Sequence, residues 1–246
     1  MNISNTVVGS QSWGVAELTS TLSKYPQVID FSGHSHFPMK DPRSIHQGSF
    51  TSLGTGTMFY YELGLNGFMT TGLYPTDEFG SFAMTASNSL SGADFYIVEA
   101  DALNAVRITG YDLLTKTKIC QYGIKNPSDK ESFIYTSKRY EKSMEPFFEK
   151  NHTVDAIVND DSIILKIKQA YCKDLIESYH IEVYKENELV NKYYTLSGYY
   201  LNPMPEKVYV TLYDLESQTK YRIDIYAVTA YGKRNSKPLS YEISTH

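Results

Sequence analysis

The residues best suited to chemistry in this sequence are two histidines one residue apart, in the tetrapeptide Gly33-His34-Ser35-His36. The preceding segment, Val28 to Phe31, is β-branched or aromatic at three of its four positions, which predicts a short buried strand running into Gly33. In an extended chain, side chains two residues apart lie on one face, so both imidazoles would point into the same space. Two neutral imidazoles at a strand end are a suitable pair of metal ligands. A His-x-His pair also occurs without a metal, and the pattern alone leaves that alternative open.

A longer stretch around the two histidines resembles a known family. The run KYPQVIDFSGHSH, followed by DPRSIHQGSFTSLGTGT, is similar to the final metal-binding motif of the calcineurin-like metallophosphoesterases, in particular a bacterial branch with a C-terminal fibronectin-type domain. The resemblance extends over residues 5–118 and is strongest at Gly-His-x-His. It implies an enzyme that hydrolyses phosphate mono- or diesters at a site of two divalent metal ions (Mn, Fe or Zn). His34 would bind one ion and His36 the other.

The same resemblance shows which ligands the sequence lacks. The family's other ligands come from Asp-x-His, Gly-Asp-x-x-Asp and Gly-Asn-His-Asp/Glu motifs and one more His, all N-terminal to Gly-His-x-His. The 33 residues before His34 contain no Cys, His or Gly-Asp pair, and Glu17 and Asp30 are their carboxylates. The resemblance thus implies the C-terminal part of a catalytic domain, and we expect this chain to be inactive, or nearly so, alone. The alternative is a non-catalytic binding or structural module.

Arg43 and His46, in the segment after the histidine pair, are candidate substrate contacts. An Arg can hold a phosphate through two parallel hydrogen bonds, and a His can act as an acid. Neither residue belongs to the defining motif of the family. The competing interpretation is that Arg43 pairs with a local carboxylate and that His46 packs in the loop or faces solvent.

The chain from about residue 153 to 246 changes character. It holds 13 of the 22 tyrosines, and its apolar residues alternate through seven short runs, which predicts a small β-sandwich. The span from Leu215 to Gly232 resembles the late strands of a fibronectin type III domain. Tyr221 matches the tyrosine corner, a phenol hydrogen-bonded back to the chain. The tryptophan common in the second strand of such domains is absent, and His180 and His246 are predicted to lie on strand surfaces.

These patterns predict a chain of the α+β class that is mostly β and has two domains. Residues 1–124 are assigned to the partial metallophosphoesterase domain, residues 125–150 to a charge-rich linker, and residues 151–246 to the fibronectin type III-like sandwich. The first domain should contain a short amphipathic helix before Pro26 and two strands between Ala93 and Cys120. A Gly- and Ser-rich excursion from Gly64 to Gly92 should lie between these elements.

Composition narrows the range of partners and locations. A net charge of -5 and a pI near 5.7 argue against a nucleic-acid-binding surface, and no apolar run is long enough to span a membrane. The first residues lack the basic and apolar regions of a signal peptide, so the chain as written reads as cytoplasmic, with a secreted parent as the alternative. The expected partners are a phosphate-ester substrate and either a second copy or a complementing N-terminal half. Cys120 and Cys172 are expected to be small, partly buried thiols, and a disulfide between them stays open.

Overall fold

The computed structural model describes residues 15–33, 36–61 and 92–246. The described residues up to Lys142 belong to one compact unit, and those from Ser143 to His246 belong to a second. The predicted excursion from Gly64 to Gly92 falls almost wholly outside the described residues, as does His34.

The first unit opens with helix α1 (Val15–Leu22) and a three-stranded sheet. The strands of this sheet are β1 (Ile29–Ser32), β2 (Ile45–Gln47) and β3 (Thr51–Gly54), in the order β1-β3-β2. Strand β3 lies in the centre, parallel to β1 and antiparallel to β2, and is buried at all four positions. Strand β1 differs from the prediction of a buried strand, because it lies at the edge of the sheet that the described strands form and Phe31 is 43% exposed.

A second sheet completes the described part of this unit. Its antiparallel strands are β4 (Asp94–Ala100), β5 (Val106–Asp112) and β6 (Thr117–Ile124), in chain order. The two sheets share a small apolar core built from Ile45, Leu53, Ile108, Tyr122 and Ile124. The hydroxyl of Tyr122 donates to the carbonyl of Met39 at 2.7 Å, which ties β6 to the segment that follows the histidine pair. The sequence predicts two strands here, β4 and β5, and the structure adds β6 as a third.

The segment predicted as a linker instead packs, for most of its length, on the first unit. It contains a 3-10 helix (Lys130–Ser132) and helix α2 (Lys138–Lys142). The side-chain carbonyl of Gln47 accepts the backbone N–H groups of Ile134 and Tyr135 at 2.9 and 3.0 Å. The Arg139 guanidinium donates to the carbonyl of Pro42 at 2.7 Å. These hydrogen bonds fix the chain against β2, so the change of unit falls after Lys142 and not at residue 125.

The second unit is a seven-stranded β-sandwich, as predicted. Its strands are β7 (Val154–Val158), β8 (Ile163–Lys168), β9 (Ile176–Lys185), β10 (Glu188–Leu196), β11 (Lys207–Leu212), β12 (Lys220–Thr229) and β13 (Leu239–Ser244). They form one sheet in the order β10-β9-β12-β13 and another in the order β11-β8-β7. Alternate residues of the central strands are fully buried between the sheets, as with Ile163, Leu165 and Ile167 of β8. The period-2 pattern of apolar residues therefore places one face of each sheet in the core.

Tyr221, at the start of β12, makes the contact expected of a tyrosine corner. Its ring is 3% exposed, and its hydroxyl oxygen accepts the backbone N–H of Glu216 at 2.8 Å. This hydrogen bond fixes the chain between β11 and β12 where it enters the second sheet, and the prediction for Tyr221 is confirmed. No helix within the described ranges has the length and apolar character needed to cross a membrane.

Candidate functional site

His36 lies just beyond the end of β1, where the sequence predicts a metal ligand. Its φ of +47° places it in the left-handed region, which is unusual for a residue with a side chain. Its ring meets the ring of Tyr60 edge-to-face, with 4.3 Å between centroids, and its Nδ1 is buried without a hydrogen-bond partner. The backbone is thus not extended at His36, so the same-face argument for His34 and His36 does not apply here. An unpartnered buried nitrogen in a strained conformation is the kind of feature found at functional sites.

Arg43 is engaged by a neighbouring carboxylate. Its guanidinium and the carboxylate of Asp41 form two parallel hydrogen bonds, of 2.9 Å from Nε and 2.7 Å from Nη2. The two residues are 2% and 0% exposed, and Asp41 also accepts the backbone N–H of Arg43 at 2.8 Å. This geometry matches the structural interpretation of Arg43. A phosphate contact would require the buried pair to open.

His46 lies on β2 and is half-buried. Burial lowers its pKa to about 4, and the positive charge of Arg139 adds to the effect. The imidazole is therefore neutral at physiological pH and lacks the second ring proton that an imidazolium gives as a general acid. Its Nδ1 is buried and lacks a hydrogen-bond partner, so a role as a neutral contact or ligand stays a prediction.

The sheet register places His46 in a row with two other polar residues. Ser52 of β3 lies opposite His46 on one side and opposite Asp30 of β1 on the other. The Ser52 hydroxyl is buried without a hydrogen-bond partner, while Asp30 accepts the hydroxyl proton of Ser32 at 2.8 Å. Serine stands in the middle of this row, so Asp30 cannot orient the imidazole for a nucleophilic serine as a catalytic triad requires.

The described residues do not assemble a complete metal site. Within residues 15–33, 36–61 and 92–246, no three His, Cys, Asp or Glu side chains come together in a way that could hold an ion. His36 is one available imidazole, and a catalytic metal usually needs three or more protein ligands.

A buried carboxylate that was not among the predicted site residues lies at the start of β4. Asp94 is 3% exposed and accepts the hydroxyl proton of Tyr61 through Oδ1 at 3.0 Å, while its Oδ2 has no hydrogen-bond partner. Burial raises the pKa of Asp94 to about 6, and the charge of Asp112 acts in the same direction. Burial also lowers the pKa of the nearby Lys40. No local sequence pattern marks Asp94, because its burial comes from residues distant in the chain.

Two further predictions in the second half of the chain can be compared with the structure. His180 is 8% exposed, so it does not lie on the surface as predicted, and burial lowers its pKa to about 3. His246 is exposed. Cys120 and Cys172 are both free thiols of intermediate burial, as expected from their spacing.

Comparison with known proteins identifies one domain. Residues 150–242 match the family model of the fibronectin type III domain. No curated protein matches the chain. Among solved structures, the chain is similar to domains d3–d4 of the rat CD45 extracellular region, at 14% identity over 67% of this chain and 75% of that one, with a TM-score of 0.33. It is also similar to the fn3 domain of the human collagen α-1(XX) chain, at 20% identity over 42% and 86% of the two chains, with a TM-score of 0.29. The FN5 domain of Drosophila Lar shows 21% identity over 42% and 99%, with a TM-score of 0.26.

The family match agrees with the sandwich topology and the tyrosine corner described above. The chain therefore contains a fibronectin type III domain at residues 150–242. The comparisons support this part of the resemblance and give no support to the metallophosphoesterase part.

Proposed function

We propose that this chain acts as a non-catalytic binding or structural module built around its fibronectin type III domain. The observation that carries the proposal is the sandwich of residues 143–246, with seven strands, a continuous apolar core and the Tyr221 hydrogen bond. Such a sandwich presents two rigid sheet faces to a partner, and neither face requires catalytic chemistry.

The geometry of the first unit supports the same proposal. Of the two candidate substrate contacts, Arg43 is enclosed with Asp41 and His46 is held neutral by burial. The Arg43 guanidinium is therefore occupied by a carboxylate, and the His46 imidazole supplies no positive charge. A phosphoesterase needs positive groups that remain open to the developing charge on the phosphoryl oxygens.

A hydrolysis assay tests this proposal. The purified chain, supplied in turn with Mn²⁺, Fe²⁺ and Zn²⁺, is assayed with p-nitrophenyl phosphate and bis(p-nitrophenyl) phosphate beside the His34→Ala/His36→Ala variant. We expect the two proteins to give the same background rate. Metal-dependent turnover that the double substitution abolishes would contradict the proposal and make this chain an enzyme by itself.

A second candidate function follows from the geometry of His36. We propose that, in the presence of further ligands, His34 and His36 provide the last metal-ligand loop of a dinuclear phosphoesterase. The left-handed backbone at His36 and its unpartnered buried Nδ1 favour this candidate. Two bound divalent ions would lower the pKa of a bound water and neutralise charge on a phosphate ester. His36 itself would only orient and hold an ion through its imidazole.

Thermal unfolding in the presence of metal tests the second candidate. A ligand at about 100 times its dissociation constant stabilises a protein by about 2.7 kcal/mol. If His36 is a metal ligand, Mn²⁺ or Zn²⁺ should raise the melting temperature of the chain and of a His246→Ala control, but not of His36→Ala. His246 is a suitable control because its side chain is exposed. An equal response in all three proteins would exclude His36 as a ligand.

A further inference from the structure

The outer face of the sheet formed by β7, β8 and β11 carries lysines and aromatic rings close together. Because Leu165 and Ile167 of β8 point into the core, Lys166 and Lys168 point to the opposite, outer side. Lys207 and Tyr209 of β11 lie on the same side, opposite Lys168 and Lys166 respectively. We call this surface, with Phe147 and Tyr171 at its border, the lysine–aromatic face.

The placement of the lysines is unfavourable for the sheet itself. Lys168 and Lys207 are direct cross-strand neighbours, and like charges in that position destabilise a strand pair. Lys166 lies two residues along β8, about 6.6 Å away at the usual rise of a strand. Three lysines therefore occupy neighbouring positions at one end of this face. Positions that break a local pairing rule in an otherwise regular element are often functional.

Nearby carboxylates offset this charge only in part. Lys207 contacts Asp155 at 3.3 Å, and Lys168 contacts Glu149 at 3.8 Å. Both pairs are well exposed, so each is worth little. Among the described residues no carboxylate comes within ion-pair distance of Lys166, although Asp155 of β7 lies opposite it in the sheet and is already paired with Lys207. The ion-pair geometry thus leaves the lysines available to an external anion.

Exposed aromatic rings lie beside the lysines. Tyr209 is 57% exposed, and the Lys166 ammonium lies 5.6 Å from the centre of its ring. Phe147, which is 58% exposed, stacks on Tyr171 at 5.9 Å between centroids. The Lys168 ammonium lies 5.9 Å from the centre of the Tyr171 ring. The face therefore offers flat apolar surfaces and positive charges side by side.

The other sheet of the sandwich provides an internal contrast. There Arg222 lies over the ring of Tyr184 and also contacts Asp224, at 3.4 Å from its Nε. At the end of β12, Arg234 lies over Tyr226. A carboxylate contacts Arg234 as well, that of Glu182 at 3.4 Å. Each of these two arginines thus has a carboxylate of its own, whereas the three lysines of the lysine–aromatic face share two carboxylates, Glu149 and Asp155.

We infer that the lysine–aromatic face binds an acidic polysaccharide. The C–H faces of sugar rings pack against the negative faces of aromatic rings, and sugar carboxylates or sulfates pair with lysine ammonium groups. Nucleic acid fits less well, because its dense line of phosphates favours many cationic contacts and this chain carries a net charge of -5. The inference rests on the proposed binding role and names the chemistry of the partner.

Affinity electrophoresis of the whole chain tests the inference. The gels contain polygalacturonate, neutral dextran or oligothymidylate, at low and at high salt. We expect polygalacturonate to retard the chain at low salt, and neutral dextran to have no effect. The Lys166→Gln/Lys168→Gln variant should bind polygalacturonate about tenfold more weakly, since two exposed ion pairs are lost. Tyr209→Ser should weaken binding without changing the net charge.

The matched control is Lys185→Gln/Lys220→Gln. These lysines lie on the other sheet, pair with Glu216 and Glu242, and their substitution changes the net charge equally. The inference would be overturned if both double variants weakened polymer binding equally. It would also be overturned if the chain bound oligothymidylate more strongly than polygalacturonate, or if polygalacturonate did not retard it at all. These binding results do not depend on phosphoesterase activity, so the hydrolysis assay tests the proposed function independently.

Discussion

Removing the hydroxyl of Tyr221 should destabilise the sandwich by a predictable amount. Tyr221→Phe keeps the buried ring in place and deletes the oxygen that accepts the Glu216 N–H at 2.8 Å. A hydrogen bond of this type contributes about 1 kcal/mol, and an N–H left without a partner in a partly buried position adds to the loss. We therefore expect the free energy of unfolding of the second unit to fall by about 1–2 kcal/mol.

Hydrogen exchange measured by mass spectrometry on peptides from β9 and β12 reports this change for the second unit alone. A loss of 1–2 kcal/mol should speed the slowest amides by roughly 5- to 30-fold. Tyr209→Phe is the matched control, because its ring is 57% exposed and deleting the hydroxyl should change stability by less than about 0.5 kcal/mol. If the two variants exchange at the same rates, the tyrosine corner does not stabilise this domain and the reasoning is refuted.

Three further predictions concern the first unit. Asp41→Ala leaves the buried Arg43 without its carboxylate partner, so it should lower the free energy of unfolding of this unit by about 3–5 kcal/mol, measured by urea denaturation. The double variant Asp41→Ala/Arg43→Met removes both charges and should recover most of the loss. Asp94 has a pKa of about 6 in the folded chain, above its ordinary value near 4. Protonated Asp94 therefore contributes fully to the free energy of unfolding below pH 4, and this contribution is lost as the pH rises through 6. The free energy of unfolding should fall by on the order of 2 kcal/mol between pH 4 and 7, and Asp94→Asn should abolish this pH dependence. Because Phe31 is exposed on an edge strand, light scattering should show self-association, and a stable monomer would count against this prediction.

The second half of the fold could be predicted because its information is local. In β8 and β11 every second residue is apolar and buried, and that period of two predicts both the strand and its buried face. Tyr221 could be placed because its partner, Glu216, is five residues away. The interpretation of such a stretch requires no knowledge of distant parts of the chain.

The first half was harder because distant residues decide its structure. The predicted linker is anchored by Gln47 and by Arg139, through contacts that span most of the unit. The burial of Asp94 and of His180 likewise depends on elements brought together by the fold. Arg43 is the opposite case, because its partner Asp41 lies two residues before it and the pairing with a local carboxylate was one of the two interpretations that the sequence left open.

The metal content of the purified chain tests the central claim most directly. The chain and its His34→Ala/His36→Ala variant are exposed to manganese, iron and zinc, freed of loosely bound ions and compared by mass spectrometry. If the chain is a non-catalytic module, both proteins should retain far less than one ion per chain, and to the same extent. Near-stoichiometric metal that the double substitution removes would contradict this account and show that a metal centre is assembled here.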